Sequence, residues 1–208
     1  MFRNRQEAGY KLSQAWKQLH RKFDIVLAIP RGGVVVGDEI AHDFDLPLDV
    51  VLAKKIGSPN LPEYAIGAVA PDGEILLHKK ELLKEVVNSQ EIDFLAAKVK
   101  EEINYRLDIY RGSKAALNVA GKKVLLVDDG IATGFTIKAA IHYLRRLQAS
   151  QVLITAPVSS INAYHEIKET ADYVLVLEIP EKFYAVGQFY EDFSEIDDKQ
   201  VIYILKQY

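Results

Sequence analysis

An α/β architecture, with a central parallel sheet flanked by helices, follows from three features of this chain. Short runs of mostly branched apolar residues, such as Val124-Leu125-Leu126-Val127, lack polar alternation and read as buried parallel strands. These runs alternate along the chain with segments of helical periodicity, the pattern of repeated β–α units. The 208 residues, 49% of them hydrophobic, suffice for one core. No repeat, low-complexity tract or linker interrupts them, so a single domain over 1–208 is expected.

Residues 4–22 read as a helix with Leu12, Ala15, Trp16 and Leu19 on one stripe. That stripe serves equally as core or as a dimer interface, which leaves a homodimer open. Strand 24–29 and helix 33–44 follow, then strand 48–53 and the Gly- and Pro-bearing stretch 57–62. Runs 66–70 and 74–78 flank Pro71-Asp72-Gly73, which reads as a hairpin turn. The helical pattern of 80–110 breaks near Asn88-Ser89, with Ser89 as the expected cap. After strand 124–127 come helix 137–147, strand 151–156, helix 162–169, strand 173–179 and a short amphipathic piece at 201–205.

Charge and composition exclude several classes. The net charge is −3 and the basic residues are scattered, so no basic stripe for nucleic acid is evident and such a partner is not expected. The chain has no cysteine, which rules out disulfides and thiolate chemistry. His42, His78, His142 and His165 have no metal-ligand spacing. Met1-Phe2-Arg3-Asn4-Arg5 lacks an apolar signal region and no run approaches membrane-spanning length. A soluble, cytoplasmic protein is the expectation.

The densest chemistry lies at 124–136. Asp128 and Asp129 stand at the C-terminal end of a buried strand, where ligands of such sheets bind. Gly130-Ile131-Ala132-Thr133-Gly134-Phe135-Thr136 then leads into a helix. Backbone N–H groups and hydroxyls at a helix N-terminus suit a phosphate, because the helix dipole favours negative charge there. The paired carboxylates suit ribose hydroxyls, which donate hydrogen bonds. Earlier, Pro30-Arg31-Gly32-Gly33 ends the first strand. Alone it reads as a turn before a helix; it also offers backbone amides and a cationic fork to an anion. Lys54 and Lys55 open a Gly/Pro-bearing stretch that is either a solvated loop or a second cationic contact.

Residues 124–136 resemble the ribose-phosphate signature of the type I phosphoribosyltransferases: four hydrophobics, two acids, then a loop containing Thr-Gly-x-Thr. The element order suits that fold along the whole chain. More narrowly, Pro30-Arg31-Gly32-Gly33-Val34 and Val186-Gly187-x-Phe189-Tyr190 are shared with a group of poorly characterised bacterial and archaeal members. The resemblance implies the central sheet together with a small hood and a flexible loop. It implies an enzyme that uses 5-phosphoribosyl 1-pyrophosphate (PRPP) and Mg²⁺ to ribophosphorylate a nitrogen acceptor, a nucleobase, and releases pyrophosphate. The alternative is a regulatory protein that senses PRPP without turnover.

Residue by residue, the resemblance gives Asp128 and Asp129 the ribose hydroxyls, and Ala132, Thr133, Gly134, Phe135 and Thr136 the 5-phosphate. Arg31 and Gly32 fall where a pyrophosphate loop belongs, with a cis peptide expected at Arg31-Gly32. Lys54 and Lys55 contact the departing pyrophosphate at the base of a lid reaching Glu63, and Lys54 joins Arg31 and the two aspartates as catalytic. In the aromatic stretch 183–193, Tyr184 stacks on the base and Val186-Gly187 lies at its edge. Asp128 is placed near magnesium, and Asp192 also, after an insertion. Ala132 stands where oxopurine-specific members carry Asp, and strand 152–157 lacks their lysine, so hypoxanthine and guanine are not the expected acceptors.

Overall fold

A computed structural model describes residues 1–58, 65–77 and 88–208. Its centre is a five-stranded parallel sheet in the order β2-β1-β6-β7-β8. The strands are β1 (Ile25–Ala28), β2 (Leu48–Val50), β6 (Lys123–Val127), β7 (Gln151–Val158) and β8 (Tyr173–Glu178). The helices are α1 (Arg5–Gln18), α2 (Gly32–Phe44), α3 (Ser89–Arg111), α4 (Phe135–Arg146), α5 (Ile161–Lys168) and α6 (Asp198–Leu205). A second sheet, β3 (Lys54–Gly57), β4 (Ala65–Val69) and β5 (Ile75–Leu77), is antiparallel.

Side-chain alternation along β6 explains why its apolar run is unbroken. Leu125 and Val127 join the core beneath α1 and α2, with Leu12, Trp16 and Ile40. Val124 and Leu126 face the opposite core, with Ile137, Ile141 and Leu144 of α4. Of the apolar stripe, Leu12 and Trp16 are fully buried core, Ala15 is half-buried, and Leu19, just past the end of α1, is exposed.

Several expected boundaries shift. The first helix ends at Gln18, not 22, and β2 stops at Val50. Lys54–Gly57, read as the start of a loop, is a strand, because Lys54 to Gly57 pair with Val69 to Ala65. The hairpin turn at Pro71-Asp72-Gly73 is present, closed by Gly73 N–H donating to the Ala70 carbonyl. Asn88, not Ser89, caps α3, through a reciprocal box with Glu91. The start of that helical pattern, and the lid stretch through Glu63, fall partly on residues 59–64 and 78–87, outside the described residues.

One register positions the site. Ile25 to Ala28 pair with Val124 to Val127, so β1 and β6 end flush. Ile29 N–H then donates to the Val127 carbonyl at 2.8 Å, and the segment after β1 runs beside the segment after β6.

Candidate functional site

The acid pair sits where those two strands end. Asp128 N–H donates to the Thr155 carbonyl at 3.2 Å, and its Oδ1 accepts from Asp129 N–H at 2.9 Å. Burial, and then the negative charge of Asp129, push the Asp128 carboxyl well above the usual range, while Arg5 opposes the rise. Asp129 is held from two directions. Arg5 Nε donates to its Oδ2 at 2.7 Å, and the Tyr190 hydroxyl donates to its carbonyl at 2.6 Å. Burial and the Asp129 charge push the Tyr190 hydroxyl upward, so it remains a donor.

Glycine lets the two loops touch. A Cβ on Gly33 would lie 2.9 Å from the Val127 carbonyl oxygen, and one on Gly32 would lie 1.8 Å from Asp129 Oδ2. The non-proline cis peptide is at Pro30-Arg31, one bond earlier than expected. The resemblance implies a cis bond in this loop, and nothing in Pro-Arg-Gly-Gly itself marks which bond turns. The Arg31 guanidinium is ion-paired with Glu195.

The 130–136 loop is tied down at its start. Ile131 N–H donates to the Val158 carbonyl at 2.9 Å, and the Ser160 hydroxyl donates to the Ala132 carbonyl at 2.6 Å. Gly134 (φ 72°) then starts α4 without a side chain to cap it. The first N–H groups of α4 thus present the positive end of the helix dipole beside exposed Thr133 and half-buried Thr136. An open depression of about 410 Å³ brings Ala132, Thr133 and Phe135 together with Phe183 and Tyr184. A larger one, about 650 Å³, lies at the C-terminal end of α2 by His42 and Tyr208, away from the acid pair.

The hood is built from both ends of the chain, which the 183–193 reading missed. Phe2 pairs in parallel with Tyr190, and Phe2, Ala8, Val158, Phe189 and Tyr190 form a small core of their own. Val186 packs over Gly130, where a Cβ would come 2.3 Å from its Cγ1. Gln188 organises the exposed turn: its Oε1 accepts from Tyr184 and Ala185 N–H, and its Nε2 donates to the Lys182 carbonyl. Tyr184 itself is 84% exposed and lines the depression.

Lys54 and Lys55 lie on β3, in the second sheet. The Lys54 ammonium pairs with Glu102 of α3, and partial burial together with Arg106 lowers its pKa. Lys55 is exposed. Asp192 is exposed too; its Oδ1 accepts from Ser194 N–H at 2.9 Å, which holds its carboxyl low. Among the described residues no three His, Cys, Asp or Glu side chains gather into a protein-only metal cage.

An acid pair, a glycine-bearing cationic loop and a hydroxyl-bearing loop that leads into α4 thus gather at the C-terminal edge of the parallel sheet. Comparison agrees: the chain belongs to the family described as the phosphoribosyl transferase domain, whose model matches residues 4–194. It is 35% identical over 205 residues to the Mycobacterium tuberculosis protein Rv0571c, whose name assigns phosphoribosyl transferase activity provisionally. That match covers 99% of this chain and 46% of the relative, so the chain spans about half the relative's length. The crystal structure of TT1426 from Thermus thermophilus is 37% identical, with a TM-score of 0.84 over 99% of this chain and 98% of that one. The AQ2163 protein of Aquifex aeolicus shares the fold alone, at 13% identity and a TM-score of 0.51 over 88% of this chain and 76% of that one. No helix among the described residues is long and apolar enough to cross a membrane.

Proposed function

We propose that this chain is a cytoplasmic phosphoribosyltransferase that transfers ribose 5-phosphate from PRPP to a nitrogen acceptor, a nucleobase, and releases pyrophosphate. The observation that carries the reading is the flush register of β1 and β6, which sets Arg31-Gly32-Gly33 against Asp128-Asp129 with the Ala132–Thr136 loop following. Family membership supports the same chemistry.

Asp128 and Asp129 accept hydrogen bonds from the ribose hydroxyls. Thr133 and Thr136 donate hydroxyls to the 5-phosphate, and the backbone of Ala132, Gly134 and Phe135 adds N–H donors at the positive end of α4. Arg31 and the Gly32 amide hold the pyrophosphate; to do so Arg31 exchanges Glu195 for phosphate oxygens, a bidentate match to its fork. Lys54 and Lys55 add positive charge from the β3 side. Tyr184 stacks on the acceptor and Val186 lines its edge, a contact worth about 1–3 kcal/mol.

The donor set fits Mg²⁺ shared with substrate. One or two carboxylates plus phosphate oxygens are its ordinary ligands, and the acid pair supplies such carboxylates at the strand end. Asp128 and, more remotely, Asp192 are the residues to hold it. When bound, Mg²⁺ would supply positive charge to the oxygens of the pyrophosphate leaving group. The acid pair's negative field favours the positive character that grows on the ribose ring, and the acceptor nitrogen attacks C1 from the opposite face. Positioning and electrostatics supply most of the acceleration.

The test is calorimetric titration of PRPP with Mg²⁺ into wild type and an Asp128→Asn/Asp129→Asn variant. Saturable binding in the wild type, weakened about tenfold or more in the variant, supports the donor site. Absence of binding in the wild type rejects it. Pyrophosphate release with a panel of bases then identifies the acceptor, and binding without turnover on any base favours a PRPP-sensing protein.

A further inference from the structure

We propose that Arg5 is a positioning residue for the ribose subsite, holding the Asp129 carboxylate in the orientation that receives the donor's ribose hydroxyls. The inference rests on the phosphoribosyl reading above. Arg5 opens α1, far from the acid pair in sequence, yet its Nε donates to Asp129 Oδ2 at 2.7 Å.

The guanidinium is itself fixed on two further sides. It donates through Nη1 to the Ser194 carbonyl at 2.9 Å, and the Phe193 ring centre lies 3.8 Å from Cζ. With its side chain only 8% exposed, and anchored by a carboxylate, a carbonyl and a ring, Arg5 has little rotational freedom. It passes that restriction to the carboxylate it holds. Gly32 closes another approach, because a Cβ there would lie 1.8 Å from Asp129 Oδ2 and 2.6 Å from Arg5 Nε. A carboxylate offers about four acceptor positions, so the bond to Arg5 does not exhaust Asp129.

A purely structural strap between α1 and the 193–195 segment predicts something different. Loss of Arg5 would then weaken every ligand alike, along with stability. Two probes separate the cases, because Asp129 faces ribose hydroxyls and the Arg31 loop faces pyrophosphate.

The experiment is calorimetry with ribose 5-phosphate, and separately with inorganic pyrophosphate plus Mg²⁺, alongside thermal melting. Arg5→Gln is expected to weaken ribose 5-phosphate about tenfold or more while pyrophosphate changes by less than about twofold. Arg5→Lys keeps the charge but not the planar fork that reaches Asp129 and Ser194 together, and is expected to fall between wild type and Arg5→Gln. Arg3→Ala, which removes an exposed partner of Glu7, is expected to match wild type. Unchanged ribose 5-phosphate affinity in Arg5→Gln, or an equal loss of both probes, overturns the inference. If Arg5→Gln does not fold, Arg5→Lys decides by the same split. Wild type that binds neither probe brings down the phosphoribosyl reading and this inference together; wild type that binds both, with an unaffected variant, brings down the inference alone.

Discussion

Gly32 lies against Asp129 so closely that a Cβ would stand 1.8 Å from the carboxylate Oδ2. The atom that must yield is a side-chain oxygen and not backbone, so the penalty of Gly32→Ala falls on the acid pair more than on the fold. Overpacking of this kind costs about 1–3 kcal/mol of stability. We expect the variant to fold, to melt somewhat lower, and to lose about tenfold or more in PRPP affinity by calorimetry. Affinity equal to wild type would show that Asp129 moves aside without consequence for the donor.

Gln188 holds three backbone groups of the exposed hood turn, at Lys182, Tyr184 and Ala185. Gln188→Ala frees that turn and the Tyr184 ring it carries, while the acid pair and the 130–136 loop stay in place. Acceptor KM is expected to rise, by up to the about 1–3 kcal/mol that one aromatic stack supplies, with PRPP affinity unchanged. A parallel loss of PRPP affinity would place Gln188 in support of the donor site instead.

The parts of this molecule legible in sequence are those written locally. Buried strands such as Val124–Val127 announce themselves because both faces meet core, and the acid pair and its loop form one contiguous stretch. Arg5 was not legible, because its partners Asp129, Phe193 and Ser194 lie far along the chain and a cation near a helix start looks like surface. The hood was half legible: its aromatics stood out, but the pairing of Phe2 with Tyr190 is long-range. Strand β3 was hidden because Lys54 and Lys55 are both exposed, which erases the alternation that marks a half-buried strand.

Asp49 was also invisible, a carboxylate inside an apolar-looking strand. It is buried, and it accepts from Arg111 Nε at 3.0 Å, Leu117 N–H at 3.1 Å and Val50 N–H at 2.7 Å. It therefore joins β2, the end of α3 and the segment that leads to β6. Asp49→Ala leaves a half-buried guanidinium and two amides without this acceptor. A loss of about 3 kcal/mol is expected, the low end for a broken buried pair because Arg111 keeps some solvent. For a chain of this size that lowers Tm by about 6–12 °C. A shift under about 2 °C would mean that water replaces the carboxylate.

Glu39, half-buried on α2, carries a penalty that pH can reveal. Burial first, and then the charges of Asp38 and Asp43, raise its pKa above the unfolded value of 4.5, with His42 opposing. The folded state therefore holds this proton more tightly than the unfolded state, and the contribution to stability is lost as pH rises from about 4.5 through the folded value. Above the folded value the carboxylate is ionised in both states and the penalty is fully present. Glu39→Gln removes the titration while preserving shape. The variant is expected to melt above wild type at pH above the folded value, with the gap closing as pH falls through that value toward 4.5. A gap independent of pH would trace the effect to packing against Gly9, whose ideal Cβ position lies 2.8 Å from Glu39 Cβ, and not to charge.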